Sequence, residues 1–540
     1  MILIAYLSAT TTVIGKLRPD KPPEVLTEKA KEILATIGYG ERSADSASWF
    51  RFDDDYLKFV AKHDPLRKHT DLDALAQPGP LLFVHRQSPR PLVAIRTADV
   101  IALPADVGRL DKDDPPMNVV GMTRVTLDRH GNLIEFLAVP PQLDTVVTAP
   151  HVDWSPLFIA AGFDVRAWAP TPPLWSAPVD TDLKLAWNGT YSGQPNVPMH
   201  IEAAAFHGKP VWFSVQGPWV HPATAKDVSF ERLAIWVVLV FGVLMLAGIV
   251  GMLRRNLRTG RGDRRGAMIL GHLIFFSLML ALIIRADHVA SVIDETRLVV
   301  TIAAQALYFA FLTWALYLSF EPYARRRWPG LMISWSRLLA GRLRDPMVGR
   351  DLLFGSLGGI VMALVIHLDI ALPSGFGHMQ HAPLGQVVTP MSATRHLGFF
   401  FMMNIYSAVG LGLASLIGVF VIQAVVRSRW LAWALQFVTV YLFFVGSVAT
   451  NPPFSGALVL SAAIWYLLLM RVGLLASSAA FYFFIMICCL PLTLDPGIWY
   501  AGRTLIGLGV LAGILLYAFH IALAGKSLIG HWLLESEGRQ

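Results

Sequence analysis

Glu321–Asp351, EPYARRRWPGLMISWSRLLAGRLRDPMVGRD, is the stretch whose reading decides the fold. It carries seven arginines against three acids and lies between two long apolar segments. A short loop this rich in arginine resists export across a bacterial inner membrane and stays cytoplasmic. One loop thus predicts a polytopic membrane protein and sets its direction. At about 100° per residue, Leu331, Met332, Trp335, Leu338, Leu339 and Leu343 share one broad helical face. Arg337 and Arg344 fall opposite, Arg342 intrudes on the apolar face, and Pro346 ends the run. The pattern predicts an amphipathic cytoplasmic segment over 328–346, its apolar side at the acyl boundary and its arginines near lipid phosphates. The same face would also serve for packing against neighbouring helix ends. Arg325, Arg326, Arg327, Trp335, Arg337, Arg342, Arg344 and Arg350 are the candidate residues for this surface and for coupling to a cytoplasmic partner.

Working outward, apolar stretches near the length of a membrane crossing occur at Leu233–Leu253, Met268–Ile284, Leu298–Phe320, Leu352–Leu372, Leu397–Val426, Trp430–Ala449, Gly456–Met470, Val472–Leu494 and Thr504–Ala524. Residues 1–16 hold a shorter apolar run without the basic flank of a signal peptide, and are expected to be the end of a further span. Nine or ten transmembrane helices are expected. Segments assigned inside hold 18 Lys and Arg, against four in the short outer loops: Arg285, Arg297, Arg395 and Arg503. That asymmetry places residues 17–230 outside and both termini, with the tail 526–540, in the cytoplasm. The helical domain then covers 231–525.

Composition agrees with this reading. Hydrophobic residues make up 54% of the chain and charged residues 15%, with a mean hydropathy of +0.51, against about 25% charged in soluble chains. The net charge of +7 sits in loops beside apolar spans, so it argues for membrane orientation and against a nucleic-acid partner. Cys488 and Cys489 are adjacent and within an apolar run, which excludes a disulfide framework and a CxxC metal site.

Residues 17–230 read as an extracytoplasmic α+β domain. PPEVLTEKAKEILATIGYG is an amphipathic helix started by Pro22–Pro23 and stopped by Gly38 and Gly40. RVTLDRHGNLIEFLAVPP alternates around Asp128–Gly131 as a β-hairpin, and a second hairpin turns at His207–Gly208. An internal echo pairs a helix ending at Gly38, DYLKFV and LLFVHRQSPRPLVA with a helix ending at Gly162, DLKLAW and MHIEAAAFHGKPVWF. It suggests a duplicated helix-plus-sheet unit; two unrelated hairpins are the alternative. Such a domain suits sensing of a ligand that its residues do not name.

Several phrases are specific enough to compare with a known family. KPPEVLTEKAKEILATIGY, ADSASWF, IEAAAFHGKPVWF, RRNLRTGRGDRRGA, the Glu321–Asp351 loop and VRSRWLAWALQFV run in order from residue 21 to about 437. Together they resemble the C-terminal membrane region of acidobacterial-type transmembrane serine/threonine protein kinases. The resemblance implies a module that follows a cytoplasmic kinase domain and one membrane span. The chain departs from the family where the chemistry would be. It has no Gly-rich phosphate loop, no V-A-I-K, no H-R-D-x-x-x-x-N and no D-F-G, all of which phosphoryl transfer requires. No kinase residue carries over. A late gene start or a lost or separate kinase domain would each account for the clipped apolar beginning.

Other chemistry is thinly represented. His378 and His381, with His367, Asp369 and His396, form the one set with metal-ligand character; solvated loop histidines are the alternative. His272, His520, Arg285 and Asp287 stand at or near membrane depth, where ionisable groups face a bundle interior and mark a transport path, or snorkel when close to an edge. No H-E-x-x-H or G-x-S-x-G occurs, which disfavours a membrane protease. The reading that results is a non-catalytic integral membrane sensor or anchor, with no cofactor. Its partners would be the bilayer, a cytoplasmic kinase or other signalling partner, and an unidentified extracytoplasmic ligand. A transporter-like or metal-handling membrane protein is the alternative.

Overall fold

The computed structural model describes residues 1–63, 79–95, 107–143, 152–191, 194–221, 246–371, 387–426, 428–448 and 456–524. The N-terminal part is built on an eight-stranded antiparallel sheet of order β1-β2-β3-β4-β8-β7-β6-β5. These strands are β1 (Asp45–Phe52), β2 (Leu81–Ser88), β3 (Thr123–Asp128), β4 (Leu133–Ala138), β5 (Ala169–Thr171), β6 (Leu183–Tyr191), β7 (Gln194–Phe206) and β8 (Lys209–Gln216). Ahead of them come α1 (Ile2–Thr11), α2 (Val13–Leu17) and α3 (Pro23–Thr36). Proline at its first position starts α3, and Gly38 at φ +85° ends it. The buried face of α3 is Leu26, Ala30, Ile33 and Leu34.

Both predicted hairpins form. The β3–β4 turn is held by Asp128, whose Oδ1 accepts from the backbone N–H of His130 and of Asn132, each at 2.8 Å, with Gly131 at φ +87°. The β7–β8 turn passes through His207 and Gly208, both at positive φ. The echo pairs segments that fold differently, however. DYLKFV lies in α4 (Asp54–His63), with the Asp53 side chain accepting from Tyr56 N at 3.2 Å near its start, whereas DLKLAW lies in β6. The topology repeats in another phase. A helix precedes β1–β4, and α5 (Ser155–Ala160) precedes β5–β8; the halves meet where Phe136 of β4 pairs with Phe213 of β8. In that phase the His130–Gly131 and His207–Gly208 turns are counterparts. Each of the two hairpins also carries a register shift, at Thr126/Leu127 and at Ala204/Ala205.

One face of the sheet carries Phe83, Val125, Phe136, Phe213 and Ile201, one from each of five strands, packed with Leu26 and Ile33 of α3 and Leu157 and Phe158 of α5. On the other face, Arg86 and Arg124 lie opposite each other on β2 and β3.

The second part is a helical bundle. Its helices are α6 (described over 246–258), α7 (Arg264–Arg285), α8 (Val292–Arg327), α9 (Ile333–Leu339), α10 (Pro346–Ala371), α11 (Val388–Ser392), α12 (Arg395–Val425), α13 (Arg429–Val448), α14 (Gly456–Arg471), α15 (Leu474–Cys489) and α16 (Ala501–Ala522). Five are long and apolar enough to cross a membrane: α7, α8, α10, α12 over Arg395–Gln423, and α16. Shorter apolar helices are Ile2–Thr11, Trp430–Phe444 within α13, α14 and α15. Against the nine or ten transmembrane helices expected, the described residues thus provide five of sufficient length and four shorter apolar helices, and most of Leu233–Leu253 lies outside them. The Val472–Leu494 stretch shows why some are shorter. Its helix has 16 residues, ending at Cys489 ahead of Pro491, so it is about 24 Å long against a hydrocarbon core near 30 Å. Every residue of α15 except Tyr482 is buried, because its all-round apolar surface fills the middle of the bundle.

Candidate functional site

The site is the junction of sheet and bundle. Val387, Met391 and Tyr500, from two segments at one end of the bundle, belong to the same apolar cluster as Phe50, Phe83 and Leu17. Phe50 N donates to Ser392 Oγ at 3.1 Å, and its ring stacks on Trp499 at 6.0 Å. Trp499 Nε1 donates to the Pro19 carbonyl at 2.8 Å. The Arg503 guanidinium sits 5.0 Å from the Trp499 ring and donates to the carbonyl of Met391.

A polar clasp fastens the other side. Asp287 follows α7; its Oδ1 accepts from Arg395 Nη2 at 2.9 Å and its Oδ2 from Leu110 N at 3.0 Å. Its own N–H donates to the Gly108 carbonyl at 2.9 Å. Arg395 Nη1 also donates to the Ala286 carbonyl at 3.0 Å. Gly108 is required here twice over. Its φ is +68°, and a Cβ would collide with Leu298 Cδ1 and stand 3.2 Å from Ala286 Cβ. Next to the clasp, the Glu295 carboxylate lies 3.0 Å from His288 Nδ1, and that hydrogen bond holds His288 above its ordinary pKa.

The loop that reaches the clasp is anchored by the paired arginines of the sheet. Arg86 is fully buried and donates to the carbonyls of Asp111 at 2.7 Å, Asp114 at 3.0 Å and Pro115 at 2.6 Å. Burial, with Arg124 alongside, pushes its pKa down to about 10, so it stays charged at neutral pH. Arg124 donates to the Lys112 carbonyl at 3.0 Å and to Glu135 at 3.1 Å. A continuous set of contacts therefore runs from β2 and β3, through residues 107–117, to α7 and α12. Removing the carboxylate in Asp287→Ala should cost about 1–2 kcal/mol at this half-exposed pair. Hydrogen exchange at the Leu110 amide is expected to quicken by about five-fold or more, with the bundle amides unchanged; unchanged protection at Leu110 would show that the clasp carries no load.

The other ionisable candidates separate. Arg285 does not snorkel: it is 1% exposed and its guanidinium lies 4.3 Å from the Phe399 ring. His272 and His520 face away from the bundle interior, on the exposed sides of α7 and α16, so neither lines an internal path. His367 is buried and bonded through Nδ1 to the Ala363 carbonyl at 2.7 Å, and His396 Nδ1 lies 2.8 Å from the Thr389 carbonyl. Asp369 is engaged elsewhere. His378 and His381 lie outside the described residues. Among the described residues no group of three or more His, Cys, Asp or Glu is placed to hold a metal.

Alternation of the helices puts the arginine-rich segments at the far end. α7 runs from Arg264 toward the clasp, and α8 returns over 36 residues to Arg325, Arg326 and Arg327. There the predicted amphipathic segment is shorter than 328–346. It is a 3-10 turn at Pro329–Met332 followed by α9, which stops at Leu339. Met332, Trp335 and Leu339 are in the bundle's apolar core and Leu331 and Leu338 pack against it, so most of this face meets protein, while Leu343 is exposed. Arg337 Nη1 donates to both carboxylate oxygens of Asp345 at 2.9 Å, and Arg350 pairs with Asp351 at 2.9 Å. Arg325 bonds Glu321, and reaches Asp263 and Ser336 at 3.3 Å each. Arg326, Arg327, Arg342 and Arg344 are exposed. The sequence reading passed over the carboxylates Asp263 and Glu321 that organise this end; Asp263 did carry a visible signal as the residue before an apolar helix, and it caps Gly266 N at 2.8 Å.

Comparison with family models, with curated proteins and with solved structures gives no match. The likeness to kinase membrane regions rests on the quoted residues alone.

Proposed function

We propose that this chain is a non-catalytic sensor or anchor module of the bacterial inner membrane. In this reading the sheet domain lies outside and the arginine end lies in the cytoplasm. The observation that carries the proposal is the clasp. A sheet domain is tied to the bundle by Asp287, Arg395 and the Phe50–Trp499 stack, at the end opposite the arginine-rich segments. A domain tied in this way can pass a change in its own structure to the ends of α7 and α12, which supports a sensor reading. The arginine distribution supports the direction. The phrases shared with acidobacterial-type kinase tails support a serine/threonine kinase domain as the cytoplasmic partner, in the same polypeptide or another.

Reporter fusions test the orientation. An export-dependent reporter should be active at Gly189 and a cytoplasmic reporter at Gly262; the same signal at both positions would end the proposal. With none of the phosphate-handling motifs in the sequence, the purified chain is also expected to show no ATP turnover.

A further inference from the structure

A cavity of about 440 Å³ opens where β1 begins, β2 ends, β3 begins and β4 ends. Nothing in the clasp uses it. Its size is within the range of small-molecule sites, about 300–1,000 Å³. Three features bear on what it holds. Its walls are largely apolar, from Pro89, Val120, Val139, Pro140, Pro141 and Val211. Val120 is 40% exposed at this opening, so apolar surface is available there to a ligand. Two buried hydroxyls border it: Ser88 Oγ accepts from Arg90 N at 3.1 Å, whereas Thr123 is 3% exposed and its Oγ1 is enclosed with no hydrogen-bond partner. Such an atom costs free energy unless a ligand or water supplies the bond.

The rim supplies charge. Arg42 and Lys209 both line the cavity, and among the described residues no acid pairs with either. Lys209 Nζ is instead fixed by the Gly38 carbonyl at 3.0 Å and by the Tyr39 ring at 4.9 Å. Glu41 is the acid on the same rim, and His207, also lining it, is 3.5 Å from Asp182. The balance of fixed charge facing the opening is therefore positive.

We infer that this cavity binds a small amphipathic carboxylate, its apolar body against the proline and valine walls. The anionic group would lie toward Arg42 and Lys209, and a polar atom would reach Thr123. A guanidinium on the rim meets a carboxylate with two parallel hydrogen bonds, which an alcohol of the same shape cannot reproduce. The inference gives the sensor reading a ligand class and rests on that reading for its biological meaning. Binding itself is measurable whichever way the chain faces.

The test uses the full chain in lipid nanodiscs, with 4-phenylbutyrate, indole-3-acetate and octanoate as probes and 4-phenylbutanol as the uncharged control. Empty nanodiscs measure partition into lipid. Saturable binding of at least one carboxylate is expected. Arg42→Gln should weaken it by about ten-fold while leaving the alcohol unchanged, as expected for one charge-assisted pair. Thr123→Val, which keeps the side-chain shape, should weaken it by a smaller factor. Val120→Trp should fill the cavity and abolish binding of carboxylate and alcohol together, with an unchanged melting temperature as evidence of folding. Absence of saturable binding by all three carboxylates at millimolar concentration would overturn the inference, as would binding indifferent to both Arg42→Gln and Val120→Trp. Neither result would alter the reporter-fusion outcome, so failure of the ligand and failure of the orientation are distinguishable.

Discussion

Gly359→Leu should leave the chain unable to assemble its bundle. Gly355 and Gly359 are one turn apart on the side of α10 that meets α15, where Ala476 and Ala480 repeat the same spacing. Small residues at such spacing let two helix backbones approach closely, which supplies the packing that holds membrane helices together. No room remains for a side chain. A Cβ at Gly359 would collide with the Ala480 carbonyl and stand 2.7 Å from Phe483 Cβ; one at Gly355 would collide with the Ala476 carbonyl and stand 2.7 Å from Ala479 Cβ. Because α15 is buried along nearly its whole length, it cannot retreat toward lipid. Overpacking costs about 1–3 kcal/mol for extra methylenes in a core that can adjust, and this one is confined by backbone. The expected result is loss of the monodisperse peak in size-exclusion chromatography, with Gly359→Ala intermediate. Gly509→Leu is the control, since nothing lies within 4 Å of its Cβ position. A stable, monodisperse Gly359→Leu protein would refute the packing described for α10 and α15.

Arg86→Met should have the largest effect within the sheet domain. Methionine keeps most of the side-chain volume but removes the donors to three carbonyls in a site closed to water. Each buried acceptor left unmade costs about 1–3 kcal/mol, so a loss of roughly 3 kcal/mol or more is expected. The damage should extend beyond the sheet. Residues 107–117 carry Gly108 and Leu110 to Asp287, so their amide protection is expected to fall together with that of Asp287. Arg90→Met, at an exposed turn after β2, should change neither. Full protection of 107–117 in Arg86→Met would mean the loop is held by its apolar contacts instead.

The two parts of the chain were legible in the sequence to different degrees. Helices were easy to read because apolar length is a property of one segment. The stretches starting at Met268, Leu298, Leu352, Leu397 and Thr504 all became helices, each bound within seven residues of its expected place. Hairpins were also local: Asp128–Gly131 and His207–Gly208 carry the turn residues that the backbone demands. Reading failed where one pattern serves two environments. Met332, Trp335 and Leu339 would suit an acyl boundary as well as a protein core, and the choice was made by the helices around them. DYLKFV and DLKLAW look alike as strings, yet Asp53 helps start a helix in one, while the other pairs with β7.

By itself, then, the sequence determined that this is a helical bundle with a strand-rich N-terminal part, and where its arginines cluster. Hydropathy and charge act on each segment alone, through its own transfer out of water, so they can be read along the chain. Only the tertiary structure decided which residues meet. Asp287 and Arg395 stand 108 positions apart, and Arg86 reaches Asp114 across 28. Such pairs hold only because the intervening chain has already folded and brought donor and acceptor within about 3 Å. That geometry belongs to two segments at once, and neither segment's composition contains it.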